Sequence, residues 1–463
     1  MDSFLGYHSE WNLGSPGGWD YQRMTQEIAK VVWQRLNEMT DVGVTLNFDH
    51  PFLYPVEGFS RMLVDAHRQR EGTQPGVVAV VAEEETLSDV TENINLADRL
   101  DRIEGIRGVL AAPHHFELKD GRTCFQGEPV SLIFMDFNND VLLRLHRQHD
   151  LSPVLKAVRD NRVINPRGTE PINVKSMFEV FTGPLAGNFT AETQARTPWT
   201  RRFFERQTTG PRGEAVADLV AWTREHWNDL VLKPERGYSG KGVRVGEVNP
   251  DRDEAIALAL QKGHYIVQAR VPLGIWAEEI PELDADRQGI WLARRQTDFR
   301  CLLGPGEVFG FLGRYGNIPT NVGSGGGVQP IGVLNAGLEV REAVDRINRA
   351  VLDLDYRHAA ELQEMQNELA LQKKFTYLLG PIKIALRPRI VTTDQLNALE
   401  KYCFAMWKDC LTLETMWLAG ELDEYIDIEE EELEIARMQP WAGGASIFAA
   451  DGLFGFGAEL EGV

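Results

Sequence analysis

The spacing of apolar and polar positions divides the chain into recognisable pieces. Residues 20–39, DYQRMTQEIAKVVWQRLNEM, carry apolar side chains at helical spacing just after Gly17-Gly18. This predicts a loop that opens an amphipathic helix. GVVAVVAEE (76–84) is a continuous apolar run, the pattern of a buried strand whose C-terminal end faces a site. TLSDVTENINLADRL (86–100) predicts a Ser/Thr-capped helix, and IRGVLAA (106–112) the next strand. GEPVSLIFMDFNND (127–140) is a strand with an acidic exit, and 161–181 reads as strand, turn and helix. Alternation of strand and helix is α/β organisation.

Further along, VLKPERGYSGKGVRVG (231–246) predicts a β-hairpin, residues 253–263 a helix, and YIVQARV (265–271) a strand. Residues 297–316 read as two strands joined by Gly-Pro-Gly, and NVGSGGGVQP (321–330) as a glycine-rich loop. From about 339 the pattern becomes helical, with many i,i+4 charge pairs, and 392–428 continues it. The four glutamates at 429–432 predict a solvated helix face. The last segment, GGASIFAADGLFGFGAELEGV, predicts a hairpin.

A chain of 463 residues is long for one core, so two or three domains are expected. Lys and Arg number 48 against 69 Asp and Glu, a net charge of −21. Such a surface repels nucleic acid and anionic lipid, and favours a small nucleotide with magnesium held in a local basic pocket. No apolar run is long enough for a membrane span, and the N-terminus lacks the pattern of a signal peptide. The four scattered cysteines point to a reducing, cytoplasmic compartment. Cys403 and Cys410 are spaced for one helix face. His114 and His115 are adjacent and project to opposite sides if extended, a poor chelate. His146 and His149 have no supporting zinc pattern.

Residues 231–246 do not form a Walker-type loop. That motif needs Ser or Thr after Gly-Lys and a helix behind it, but Lys241 precedes Gly242 and a strand-like VRVG. Two readings stand: a plain hairpin with exposed lysines, or a glycine-rich tip over phosphates. In the second, glycine amides approach the anion, while Lys233 and Lys241 supply charge. In HSEWNLGSPGGW (8–19), Glu10 and Asn12 alternate, so on a strand they share a face. A carboxylate and an amide oxygen suit magnesium. Read alone, they are also ordinary surface residues.

The order of these segments resembles the circularly permuted ATP-grasp proteins, the group of glutathionylspermidine synthase and related carboxylate–amine ligases. Glu10-x-Asn12 before Ser-Pro-Gly-Gly comes first; Lys233, Ser239, Gly240, Lys241 and Gly242 follow; Gln268 lies at the centre of the hinge strand IVQARV. The resemblance extends over about residues 5–332, through Lys175 after an Asn-Pro turn, TPWTRRF with Arg201 and Arg202, and the late Arg314…Asn321…Gly-Gly-Gly segment. It implies ATP on Lys175, Lys233, Ser239, Gly240, Lys241, Gly242, Gln268 and Asn321. It implies Mg2+ on Glu10, Asn12 and a third ligand, for which Asp298 is the candidate. Arg300 and Arg314 would stabilise the acyl transfer. Two departures stand out. Asp136 occupies a place where a basic residue is expected, and Ala445 one where relatives carry a metal-binding Asp, which leaves Asp451 as a lesser candidate.

The resulting expectation is an α/β (α+β) protein, ATP-grasp-like and circularly permuted, with a mainly helical C-terminal region. Residues 1–75 would hold the metal strand and helix, 76–185 an α/β domain, 186–335 the nucleotide region and 336–440 helices. Residues 441–463 would form a hairpin completing the core beside residues 4–12, in the same chain or an exchanged partner of a homo-oligomer. The expected reaction is ATP- and Mg2+-dependent joining of a carboxylate to an amine through an acyl phosphate. A nucleotide-binding interaction protein and a phosphotransferase with another acceptor are the alternatives. No nucleic acid or membrane partner is expected.

Overall fold

Gly76–Val81 is the central strand of a sheet in which Ile106–Ala111 and Glu128–Met135 flank it, both parallel to it. The structure is a computed structural model. It describes residues 7–8, 12–15, 17–165, 167–237, 241–271, 277–304, 306–317, 320, 322–335, 337–377, 380–426, 428–438 and 449–452. Glu10, Ser239, Gly240, Asn321 and Ala445 lie outside these. The period-2 geometry of the central strand explains its unbroken apolar run. Val77, Ala79 and Val81 face Leu142, Leu145, Val154 and Val158 on one side. Val78 and Val80 face Phe59, Leu63, Leu96 and Leu100 on the other. A hairpin, Phe116–Lys119 and Arg122–Phe125, extends the sheet antiparallel beyond Glu128–Met135. From the central strand the chain crosses to Ile106–Ala111 on one side, then returns to Glu128–Met135 on the other. The strand order therefore reverses at Gly76–Val81, which opens a crevice at the C-terminal ends.

A second sheet is antiparallel, in the order Arg244–Val245, Leu230–Pro234, Tyr265–Ala269, Thr200–Arg202. The hairpin expected over 231–246 is there, with Val231 opposite Val245. Helices Leu219–Glu225 and Arg252–Lys262 cover it through Leu219, Trp227, Leu232, Ile256 and Val267. The third sheet is built on Gly289–Gly304 and Glu307–Gly316, flanked by Ala277–Asp284 and Gly327–Val328. Ala449–Gly452 pairs antiparallel with Phe299–Leu302 of the same chain. The C-terminal strand was expected beside residues 4–12; its pairing within the described residues is to the strand that carries Arg300.

Other expectations need correction. The helix over 86–100 starts at Thr91 after a short 3-10 turn, Glu84–Thr86, and has no side-chain cap. The Thr91 hydroxyl instead donates to the Lys374 carbonyl. In place of the strand expected in 161–181, the described residues form a one-residue bridge, Val163 to Ile133, and a 3-10 helix, Arg167–Ile172, before the helix Met177–Thr182. The helical stretch after 339 breaks into Val340–Leu352 and Tyr356–Gln372, because Asp355 caps the second by accepting from the His358 N–H at 2.9 Å. These helices do not pack by themselves. Ile347, Val351 and Leu362 share a core with Ile28, Val32 and Leu36 of the helix Trp19–Met39. Helix Thr393–Leu418, closed by a Thr392/Gln395 capping box, packs Leu399, Met406 and Leu413 against Phe178, Phe181, Phe299 and Phe311. Cys403 and Cys410 lie on that buried face. The glutamate run is not uniformly solvated either. Glu432 is 2% exposed and paired with Arg236, while Glu429 and Glu431 face Arg147. No helix among the described residues is long and apolar enough to cross a membrane.

Candidate functional site

A cleft of about 290 Å³ opens where the parallel sheet, the loop 12–18 and the third sheet meet. The loop is fastened by side chains from residues 136–173. Leu13 N–H donates to Asn173 Oδ1 at 3.0 Å, and Ser15 Oγ to Asp136 Oδ1 at 2.9 Å. The buried Asn165 joins the loop to the strand exit. Its Nδ2 donates to the carbonyls of Gly14 (2.7 Å) and Met135 (2.6 Å), and its Oδ1 accepts from the Met135 N–H (3.0 Å). Asn12 lines the cleft in irregular chain, not on the expected strand.

Arg300 and Arg314 both reach this cleft. In the antiparallel register Asp298 stands opposite Arg314, and Arg300 two residues on from Asp298 points to the same face. Arg300 Nη1 donates to the Gly17 carbonyl at 2.8 Å. Asp298 does not line the cleft. Its oxygens accept from Arg314 Nε (2.7 Å), Arg314 Nη2 (3.0 Å) and Thr320 Oγ1 (2.6 Å). It is therefore a partner of Arg314 here and not an open metal ligand.

Lys175 lines the cleft as well. Its Nζ donates to the Gly237 carbonyl at 2.8 Å, and its N–H to the Glu235 carbonyl at 2.9 Å. It thus ties the cleft to the root of the glycine-rich tip. Arg236 also faces the cleft, held at Nη1 by Glu432 Oε1 at 3.0 Å. Lys233 and Gln268 are brought together but not into the cleft. Both are buried in the second sheet, where Lys233 Nζ donates to Gln268 Oε1 (2.8 Å) and Gln268 Nε2 to Thr200 Oγ1 (2.9 Å). Lys241 is exposed at the tip, and Gly242 takes a positive φ of 77°, as a turn over an anion allows.

One wall of the cleft is acidic: Glu83, Glu92, Asp136 and Asp140 line it. Glu92 occupies the N-terminus of helix Trp19–Met39, accepting from the Gly18 N–H at 2.9 and 3.0 Å. Burial pushes Glu92 up to about 8; Asp136 and Asp20 add to the rise, and the Gly18 N–H opposes it. Burial likewise pushes Asp136 up to about 6, against the bonds from Asn93 and Ser15. The buried Asn138 Oδ1 in the same wall has no hydrogen-bond partner among the described residues. These are hard oxygen donors, the donor chemistry that magnesium takes, although Glu83 is already paired with Arg144. Asp136, out of place as a basic position, makes sense as part of this wall.

The acidic strand exits at Glu83 and Asp136 were visible in the sequence. Glu92 and Arg236 were not singled out, since one sits in an ordinary helical pattern and the other beside the hairpin lysines. No protein-family model matches this chain, and no curated protein is detectably similar to it.

Proposed function

We propose that the chain is an ATP- and magnesium-dependent ligase that joins a carboxylate to an amine, on a circularly permuted ATP-grasp-like frame. The observation that carries this reading is the convergence of Asn12, Lys175, Arg300 and Arg314, residues from three distant segments, on one cleft. The antiparallel sheet with a glycine-rich tip, rooted beside Lys175, supports it. Asn12 with Glu83 and Asp136 would hold magnesium, which supplies charge neutralisation to phosphate oxygens when bound. Lys175 in the cleft and the exposed Lys241 would supply positive charge to the nucleotide phosphates. Arg300 and Arg314 would steady the negative charge that develops as the carboxylate oxygen takes the γ-phosphoryl group and ADP leaves. The amine then attacks the acyl carbon, phosphate departs, and the amine nitrogen loses its proton to form the amide.

The test is to supply ATP, Mg2+ and panels of acids and amines and measure ADP release. Hydroxylamine serves as the trapping amine. Release that requires both acid and amine, with hydroxamate formed under trapping, is the expected result. A phosphorylated product made without amine, or nucleotide binding without turnover, overturns the ligase reading.

A further inference from the structure

A second cluster lies outside the cleft, on the rim behind Glu83. The parallel strands Gly76–Val81 and Ile106–Ala111 are neighbours, so the turns at their C-terminal ends lie side by side. The Ala82 N–H to Ala111 carbonyl bond, at 3.1 Å, carries the register to the last residue before those turns. One turn, Glu84–Thr86, presents Glu84; the other, Pro113–His115, presents His114 and His115. As neighbours on an extended chain the two histidines would diverge. The 3-10 turn instead brings their ring centroids to 4.6 Å. His114 Nε2 lies 3.7 Å and His115 Nε2 3.0 Å from the same oxygen, Glu84 Oε2. All three ligand atoms fall within 4.8 Å of one another.

Those separations are the edges of a coordination polyhedron. Ligands held at ~2.0–2.1 Å from a zinc ion with these edges subtend roughly 95° and 130° at the metal, either side of the tetrahedral angle. The His114 ring is further fixed by stacking on His149, 4.4 Å away and 16° from parallel. A lone His–Glu ion pair would need only one of the two imidazoles.

We propose that Glu84, His114 and His115 form a binding site for a borderline divalent transition ion, zinc foremost, with a fourth position left to solvent. Two imidazoles and one carboxylate select zinc, nickel or cobalt over magnesium, which takes oxygen ligands. Ligation through Nε2 places the proton of His115 on Nδ1. The long 3.3 Å bond that Nδ1 accepts from the Ala112 N–H is then given up. An ion at this place staples the exits of two parallel strands together, one residue from Glu83 in the cleft wall. The site stands independently of the ligase reading, because its ligands do not line the cleft.

The full chain, stripped with chelator, is titrated with Zn2+ by calorimetry, and Co2+ binding is followed by its visible absorption. One equivalent of Zn2+ is expected, unaffected by excess Mg2+. His114→Ala and His115→Ala should each weaken it at least tenfold, and Glu84→Gln less. All three residues are on the surface or half-buried, so the variants should keep the wild-type circular dichroism. The proposal is overturned if no stoichiometric Zn2+ binding occurs, if Mg2+ displaces it, or if the His114→Ala/His115→Ala double variant binds as tightly as the wild type.

Discussion

Asp298 and Arg314 face each other across two antiparallel strands and share a buried two-point ion pair, at 2.7 and 3.0 Å. The pair fixes the plane of a guanidinium that lines the cleft. Asp298→Asn leaves that guanidinium buried without its counter-charge. Unfolding free energy is expected to fall by roughly 3–5 kcal/mol, the cost of breaking a buried pair from one side. Arg314→Lys keeps the charge but loses the fork, so it should retain more stability than Asp298→Asn. Urea denaturation of both variants checks this, and a neutral Asp298→Asn would contradict it.

The raised acid at Glu92 gives the protein a pH signature. Its carboxyl is near 4.5 when unfolded and about 8 in the fold, so the folded state holds the extra proton between these values. Stability from this group is whole below about 4.5 and is lost as pH rises through about 8. Asp136 acts in the same sense but is finished near 6, while the buried His8, held down to about 3, acts in the opposite sense below 6.5. Above neutrality the slope therefore belongs mainly to Glu92, at up to ~1.4 kcal/mol per pH unit. Denaturation midpoints should drop from pH 6.5 to 8. Glu92→Gln, whose amide oxygen still accepts from the Gly18 N–H, should flatten that drop. An equally steep fall in Glu92→Gln would rule the assignment out.

Gly18 is fixed by two constraints at the mouth of the cleft. Its φ is 105°, and a Cβ there would stand 2.5 Å from Leu312 Cδ2. Gly18→Ala is expected to cost ~1–3 kcal/mol through backbone strain, plus the displacement of Leu312, which lines the cleft. Adding Leu312→Ala removes the clash but not the strain, so the double variant should recover none of the backbone part. Thermal unfolding of the single and double variants separates the two contributions.

What the chain reveals before folding is local. The run 76–81 declares a strand covered on both faces because every residue in it is apolar, and Asp136 announces an exit because acid follows that kind of run. Pairings are set at long range and leave little trace. Nothing in AADG specifies that it joins Phe299–Leu302, and nothing in the helices after 339 specifies that they share a core with residues 28–36. Glu92 and Glu432 look like solvated helix residues, since a carboxylate is buried only where a distant Gly18 N–H or Arg236 arrives to meet it. Adjacent histidines diverge on an extended chain, and a single 3-10 turn reverses that.

The two lysines of the hairpin should part company under substitution. Lys233 is buried, and its ammonium donates to Gln268 Oε1 at 2.8 Å inside the second sheet. Lys233→Met removes the donor and leaves a buried amide oxygen short of a hydrogen bond, which costs about 1–3 kcal/mol. A lower denaturation midpoint is therefore expected in that variant. Lys241 stands exposed at the tip beside Gly242. Lys241→Ala should leave stability within ~0.5 kcal/mol of the wild type, since it disturbs no packing. If the tip covers phosphates, ATP affinity should nevertheless fall about tenfold, equivalent to ~1.4 kcal/mol. Adenosine, which has no phosphates, should bind wild type and Lys241→Ala alike. Paired measurements of denaturation and of ATP and adenosine affinity decide the matter: an ATP affinity unchanged in Lys241→Ala returns the segment to a plain glycine-rich hairpin.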